Sequence, residues 1–252
     1  MKKNKNYKKW FEYYFYVWCT LALFFALLLD IICGYLFDPK KTSFDLVIID
    51  QTLYLSVWVA LITSMFGLIN WINYHKKNMA NWMVGKNAHT AIATLNFLVF
   101  LLFNITFIVQ KGDIIGFDTW YGRTKSSIEH IITPIMVLAF YFIYQKERIE
   151  DKIFAKNYCW FNLIYIGTYS FYILLRTSLI YNLESNEELG FLPFFPYPQI
   201  DPKIVGFPIF IIGTLSGNFG TVLISIFLNA MSNLNLLKLE SRRNLKNIKK
   251  SN

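Results

Sequence analysis

The chain has 252 residues, 55% of them hydrophobic and 19% aromatic, with a mean hydropathy of +0.36 and a formal charge of +9. A soluble domain of this size can bury a core without apolar runs of twenty or more residues. Such runs recur here, each long enough to cross roughly 30 Å of hydrocarbon as a helix. They are continuous rather than alternating, which excludes a membrane β-barrel, and the positive charge lies in tails and short loops, which argues against nucleic acid as the partner.

Six spans are predicted, at Trp10–Phe37, Ile48–Ile72, His89–Val109, Ile128–Tyr144, Tyr158–Tyr181 and Val205–Leu228. The expected fold is therefore a single all-α membrane domain over residues 1–252, a six-helix bundle with short basic tails. The first span follows several lysines but is too long for a secretory signal and lacks a small-residue cleavage site. Cys19, Cys33 and Cys159 are far apart, so they read as small apolar packing residues. Between the last two spans the chain is first acidic (Glu184, Glu187, Glu188), then aromatic and proline-rich through Phe195-Pro-Tyr-Pro198. Proline at that density forbids a helix interior, so this piece is extended or turned, serving either as an interfacial anchor or as a cap over a pocket. Gly213, Ser216, Gly217 and Gly220 recur at three- and four-residue spacing in the last span, where they let another helix approach.

Charge sets the orientation. The N-terminal tail, the loop with Lys76, Lys77 and Lys86, the loop with Lys146, Arg148, Lys152 and Lys156, and the C-terminal tail hold eighteen Lys and Arg residues. The other three loops hold six, and Arg176 lies within a span. By the positive-inside rule both termini are cytoplasmic, which requires an even number of spans.

With that topology, the polar intramembrane residues gather near the outer face: Asp30 late in the first span, Asp50, Gln51 and Thr52 early in the second, Asn104 and Thr106 late in the third, Glu129 and His130 at the head of the fourth, and Arg176 late in the fifth. The cytoplasmic halves hold far fewer such groups. Ionisable residues in a membrane are costly and are functional candidates by default. In the fifth span Asn162, Tyr165, Tyr169, Tyr172 and Arg176 follow at spacings of three and four, which is one helix face. Arg176 either holds an anionic head group or pairs with Asp30 or Glu129 to fasten helices. His130 either serves as a base or hydrogen-bonds a neighbouring helix, while His75 and His89 sit at the cytoplasmic interface with no chemistry assigned. Three histidines without an H-x-x-x-H pair argue against a metal site, and there is no G-x-S-x-G, no P-loop and no cofactor motif.

Four short motifs carry a resemblance. Thr52-Leu-Tyr-Leu-Ser56 with Val59-Ala60-Leu61 resembles the "YFT…SN…VAL" start of span two in a family of six-pass prokaryotic membrane proteins. Glu129-His130-Ile-Ile-Thr-Pro134 resembles that family's His-x-x-x-Pro at the head of span four. Tyr165-x3-Tyr169-x2-Tyr172-x3-Arg176 is similar to its span-five motif, and Phe195-Pro-Tyr-Pro-Gln-Ile-Asp-Pro202 to its "YPYPFLDP". Together they cover residues 50 to 202. Ser56-Val57 stands where the family has Ser-Asn in a shifted pattern, and Ile166 and Thr177 stand where it has Pro and Gly.

That family is similar in turn to the eukaryotic androgen-induced and androgen-dependent six-helix proteins, threonine hydrolases of fatty acid esters of hydroxy fatty acids. The resemblance implies Thr52 as nucleophile and His130 as general base, with a membrane lipid as substrate. The chemistry is coherent, since a threonine hydroxyl needs an adjacent base. Glu129 precedes His130 but points about 100° away around a regular helix, so no third triad member is evident. Arg176 is the expected holder of a lipid carboxylate, with Tyr172, Tyr169, Tyr165 and Asn104 lining the substrate site. The alternative is a lipid- or sterol-binding or transport protein that uses the same pocket without turnover.

Overall fold

The computed structural model describes residues 3–39, 41, 43–110, 117–144, 147–181, 195–197 and 201–251. The acidic stretch with Glu184, Glu187 and Glu188, and Pro198, lie outside the described residues.

Apolar sequence without interior proline continues as helix, and the first run does so for 35 residues as α1, Lys3–Phe37. A short helix α2, Phe44–Thr52, starts at Ser43, whose hydroxyl accepts from the Leu46 N–H at 3.3 Å. α3 runs Leu55–Lys76, a one-turn α4 Asn81–Val84, and α5 Lys86–Val109. Next come α6, Trp120–Ser127, a π-helical turn Ile128–Ile132 and α7, Thr133–Tyr144, without a break. α8 is Asp151–Asn157, α9 Phe161–Tyr181, α10 Pro202–Val205 and α11 Phe207–Ser251. The described residues hold no strand.

Among the described residues, five helical stretches are long and apolar enough to cross a membrane: Tyr7–Phe37, Leu55–Lys76, Asn81–Val109, Trp120–Tyr144 and Phe207–Ser241. The expected fifth span corresponds to α9, whose 21 residues include Asn162, Arg176 and four tyrosines and which is not among these five.

Two boundaries are corrected. The expected second span, Ile48–Ile72, is two helices: α2 stops at Thr52, and Tyr54 is extended at φ −94° and ψ 129° before α3 begins. The expected fourth span starts earlier than Ile128, because the sequence from Trp120 is helical and carries Lys125 into the bundle. The π-turn has a covalent cause. Pro134 has no N–H to give the carbonyl four residues back, and its ring crowds that carbonyl. The ladder widens instead, with the Thr133 N–H donating to the Ile128 carbonyl.

Neighbours in sequence pack antiparallel, while α5 and α9 run in the same direction. α1 lies along α3, α5 lies against α7 and α11, and α9 lies against α5 and α11. Two helices approach closely at Gly67, where a Cβ would lie 2.8 Å from Cys19 Cβ and from Thr20 Oγ1. Of the glycines expected to receive a neighbour, Gly217 and Gly220 have none within the chain, since a Cβ at either meets nothing within 4 Å. Hydrogen bonds tie the helices at mid-depth, Asn96 to Thr63 at 2.9 Å, Trp18 to Thr133 at 3.2 Å and Ser64 to the Thr20 carbonyl at 3.0 Å. Cys19, Cys33 and Cys159 are buried free thiols.

Candidate functional site

The end of the bundle where α1 finishes and α3 begins, here the upper end, gathers most of the candidate residues. Breaking an apolar helix between Thr52 and Leu55 frees backbone groups that water cannot satisfy inside a bilayer. Three aromatic side chains take them. The Trp58 indole donates to the Thr52 carbonyl at 2.9 Å, and the Tyr169 phenol donates to the Leu53 carbonyl at 2.7 Å. The Leu55 N–H donates to the Tyr197 phenol at 3.0 Å. Tyr197 belongs to the proline-rich connection, whose Phe195 is buried edge-on against Phe210, so this segment covers the break. Burial pushes the Tyr197 phenol pKa up, which keeps it protonated.

The stripe on α9 engages the break residue by residue. Tyr165 donates to the Trp58 carbonyl, Tyr169 to that of Leu53, and the Tyr172 phenol meets Thr52 Oγ1 at 2.7 Å. At the foot of the stripe, buried Asn162 donates to the Ala91 carbonyl at 3.3 Å. At its head, Arg176 is 8% exposed and lies in the fields of Tyr172, Asp50 and Tyr54.

Thr52 has one proton, and it goes to the Ile49 carbonyl at 2.8 Å, so Tyr172 is the donor in their shared bond. His130, in the π-turn, stacks on Phe103 with ring centroids 4.3 Å apart, and its Nδ1 is 3.0 Å from the Ser126 carbonyl. Among the described residues no hydrogen bond joins Thr52 to His130; the nucleophile and base expected from the sequence each have other partners. Asn104 lies near the end of α5. Its amide folds back on its own helix, to the Phe100 carbonyl at 2.7 Å, and makes no hydrogen bond to the tyrosine stripe.

Lys125 is the residue that sequence reasoning missed. It lies ahead of the predicted fourth span, yet its ammonium is buried, donating to Asp30 Oδ2 at 3.0 Å and to Gln51 Oε1. This pairing takes Asp30 out of the set of partners expected for Arg176. The i, i+4 spacing of Lys125 and Glu129 was the available signal for a helix reaching back beyond Ile128. Nearby, Lys41 pairs with Asp50 at 2.8 Å.

The lower end is more polar than expected. Lys86, 1% exposed, donates to Asn233 Oδ1 at 2.8 Å. Asn229 and Asn233, one turn apart on α11, both donate to Asp151 Oδ1, at 2.8 and 2.7 Å, and to the Ile149 carbonyl. Thr90 and Tyr141 share a bond of 2.9 Å, and His89 lies between Phe66 and Phe140. These bonds make the cluster a clamp joining α5, α8 and α11.

No protein-family model, curated protein or solved structure matches the chain.

Proposed function

We propose that the chain is a six-span protein of the cell membrane with both termini cytoplasmic, and that it hydrolyses lipid esters at the outer ends of its helices. At 1.5 Å per residue α9 spans about 30 Å, enough to cross, and the polar residues of its tyrosine stripe are turned toward protein, which supports it as the sixth span. The loop charges support the orientation.

The observation that carries the hydrolase reading is the placement of Thr52. Its hydroxyl stands at a helix break, bonded at 2.7 Å by the Tyr172 phenol, one turn from Arg176. In this reading an amphiphile presents its acidic head to Arg176, and Thr52 Oγ attacks the ester carbon. The proton passes to His130, the alcohol leaves, and water hydrolyses the acyl-threonine. Tyr172, as donor to Oγ1, favours negative charge building there. A His130 Nδ1–H donated to Ser126 leaves the lone pair on Nε2, the tautomer a base requires. The base must approach Thr52 through a bridging water or on substrate binding, since catalytic hydrogen bonds often tighten only in the complex.

The second reading is lipid or sterol binding without turnover. It is favoured by the pairing of Thr52 with a carbonyl and a phenol rather than an imidazole. Purified protein in detergent, assayed on a panel of acidic and neutral lipid esters, separates the two. The hydrolase reading expects turnover that Thr52→Ala and His130→Ala each abolish with the fold retained, the double variant being little worse. Turnover by Thr52→Ala equal to wild type overturns the mechanism, and no turnover on any ester favours the binder.

A further inference from the structure

The upper cluster leaves one group unaccounted for. Glu129 is 4% exposed, and neither carboxyl oxygen has a hydrogen-bond partner among the described residues. An ionised carboxylate in that condition is among the most expensive groups a protein can bury. The natural counter-ion is one turn away, because Lys125 and Glu129 are at i, i+4 spacing, yet the Lys125 ammonium is bonded to Asp30 and Gln51. The remaining pair is settled separately, Asp50 with Lys41. One ammonium therefore faces two carboxyl groups, Asp30 and Glu129, and it has chosen Asp30.

The ionisable groups around Glu129 can be named element by element. α1 contributes Asp30, α6 contributes Lys125, α2 contributes Asp50 beyond the ammonium, Tyr54 stands at the start of α3, and His130 is on the same turn. α5 and α7 bring only Lys86, His89, Tyr141 and Tyr144, all toward the lower end. Among the described residues of the elements packed against it, no second cation is at hand to balance Glu129.

We infer that Glu129 is an intramembrane proton-binding site: its side chain holds a proton as a neutral carboxyl while Lys125 is paired with Asp30. The π-turn that contains it suits an exchangeable site, since such widened turns loosen the backbone ladder. When the proton leaves, the new carboxylate competes for the ammonium one turn before it. Lys125 then shifts from Asp30 and Gln51 toward Glu129, and Gln51, which adjoins Thr52, loses its partner. The inference does not depend on ester hydrolysis.

Infrared difference spectroscopy of the full chain in lipid, with sodium and potassium absent and then added, is the test. The proposal expects the carbonyl stretch of a protonated, dehydrated carboxyl near neutral pH, shifted in heavy water, lost at alkaline pH and missing in Glu129→Gln. Asp30→Asn should weaken that band near neutral pH and move it to lower pH, because the Lys125 ammonium is then free for Glu129. Lys125→Gln should add a second one, since Asp30 would then lack its cation. Glu129→Gln should melt within a few degrees of wild type, because the amide mimics a neutral carboxyl. Superimposable wild-type and Glu129→Gln spectra over that pH range would overturn the proposal, as would a band abolished by sodium or potassium at fixed pH, the mark of a metal-cation site. If Glu129→Gln does not fold, a band that Asp30→Asn moves to lower pH supports the proposal, and one that Asp30→Asn leaves unchanged, or removes at every pH, contradicts it.

Discussion

Arg176 and Tyr172 divide the work of the proposed site between binding and chemistry. Arg176 is a buried guanidinium in the field of Asp50, and a lipid carboxylate is a partner its planar fork fits in two bonds. Arg176→Leu is expected to raise KM for an acidic lipid ester about tenfold or more, equivalent to about 1.4 kcal/mol, with kcat little changed and a neutral ester unaffected. Steady-state kinetics on a matched pair of esters checks this; equal losses on both would assign Arg176 to the fold instead. At this scale the sequence was informative about which residues are polar and buried, and poor about their partners. Arg176 and the three tyrosines were legible from spacing alone. The bond from Thr52 to Tyr172 was not, because it depends on where α2 stops.

Among the elements, the break between α2 and α3 is the feature on which the site depends. No proline or glycine lies between Thr52 and Leu55, so the local sequence reads as an uninterrupted span. Tertiary hydrogen bonds make the break tolerable, and they come from residues far along the chain, Tyr169 and Tyr197. Tyr169→Phe is expected to cost about 1–3 kcal/mol, the penalty for a buried carbonyl left without its donor. Thermal or denaturant unfolding in detergent would register this, and a change near zero would mean that the Leu53 carbonyl finds another donor. The π-turn is the opposite case. Thr133-Pro134 announces a disturbed ladder in the sequence, and the widened turn is its direct result. The glycines of α11 illustrate a signal without a receiver: their spacing permits close packing, but the approach occurs at Gly67 on α3.

For the whole molecule, apolar run length gave the helical membrane class directly, since five stretches meet the requirement in the structure. Segregation of ionisable groups to one end was only half legible. The lower clamp of Lys86, Asp151, Asn229 and Asn233 escaped notice because asparagines in a long apolar helix carry no charge, and Lys86 looked like one more loop cation. The proposed orientation rests on the basic loops, and it is open to cysteine accessibility labelling in intact cells. Ser185→Cys is expected to react without permeabilisation and Ser251→Cys only after it; the reverse pattern would invert the bundle and place the Thr52 site at the cytoplasmic face. Native cysteines interfere little, being buried.

The central claim is that Thr52 acts as a nucleophile, and a covalent probe tests it most directly. Purified protein is incubated with a lipid-like fluorophosphonate, digested, and the modified residue identified by mass spectrometry. The account predicts a single phosphonyl adduct on Thr52, absent from Thr52→Ala and strongly slowed in His130→Ala. An adduct on another residue, or labelling of Thr52→Ala at the wild-type rate, would contradict it.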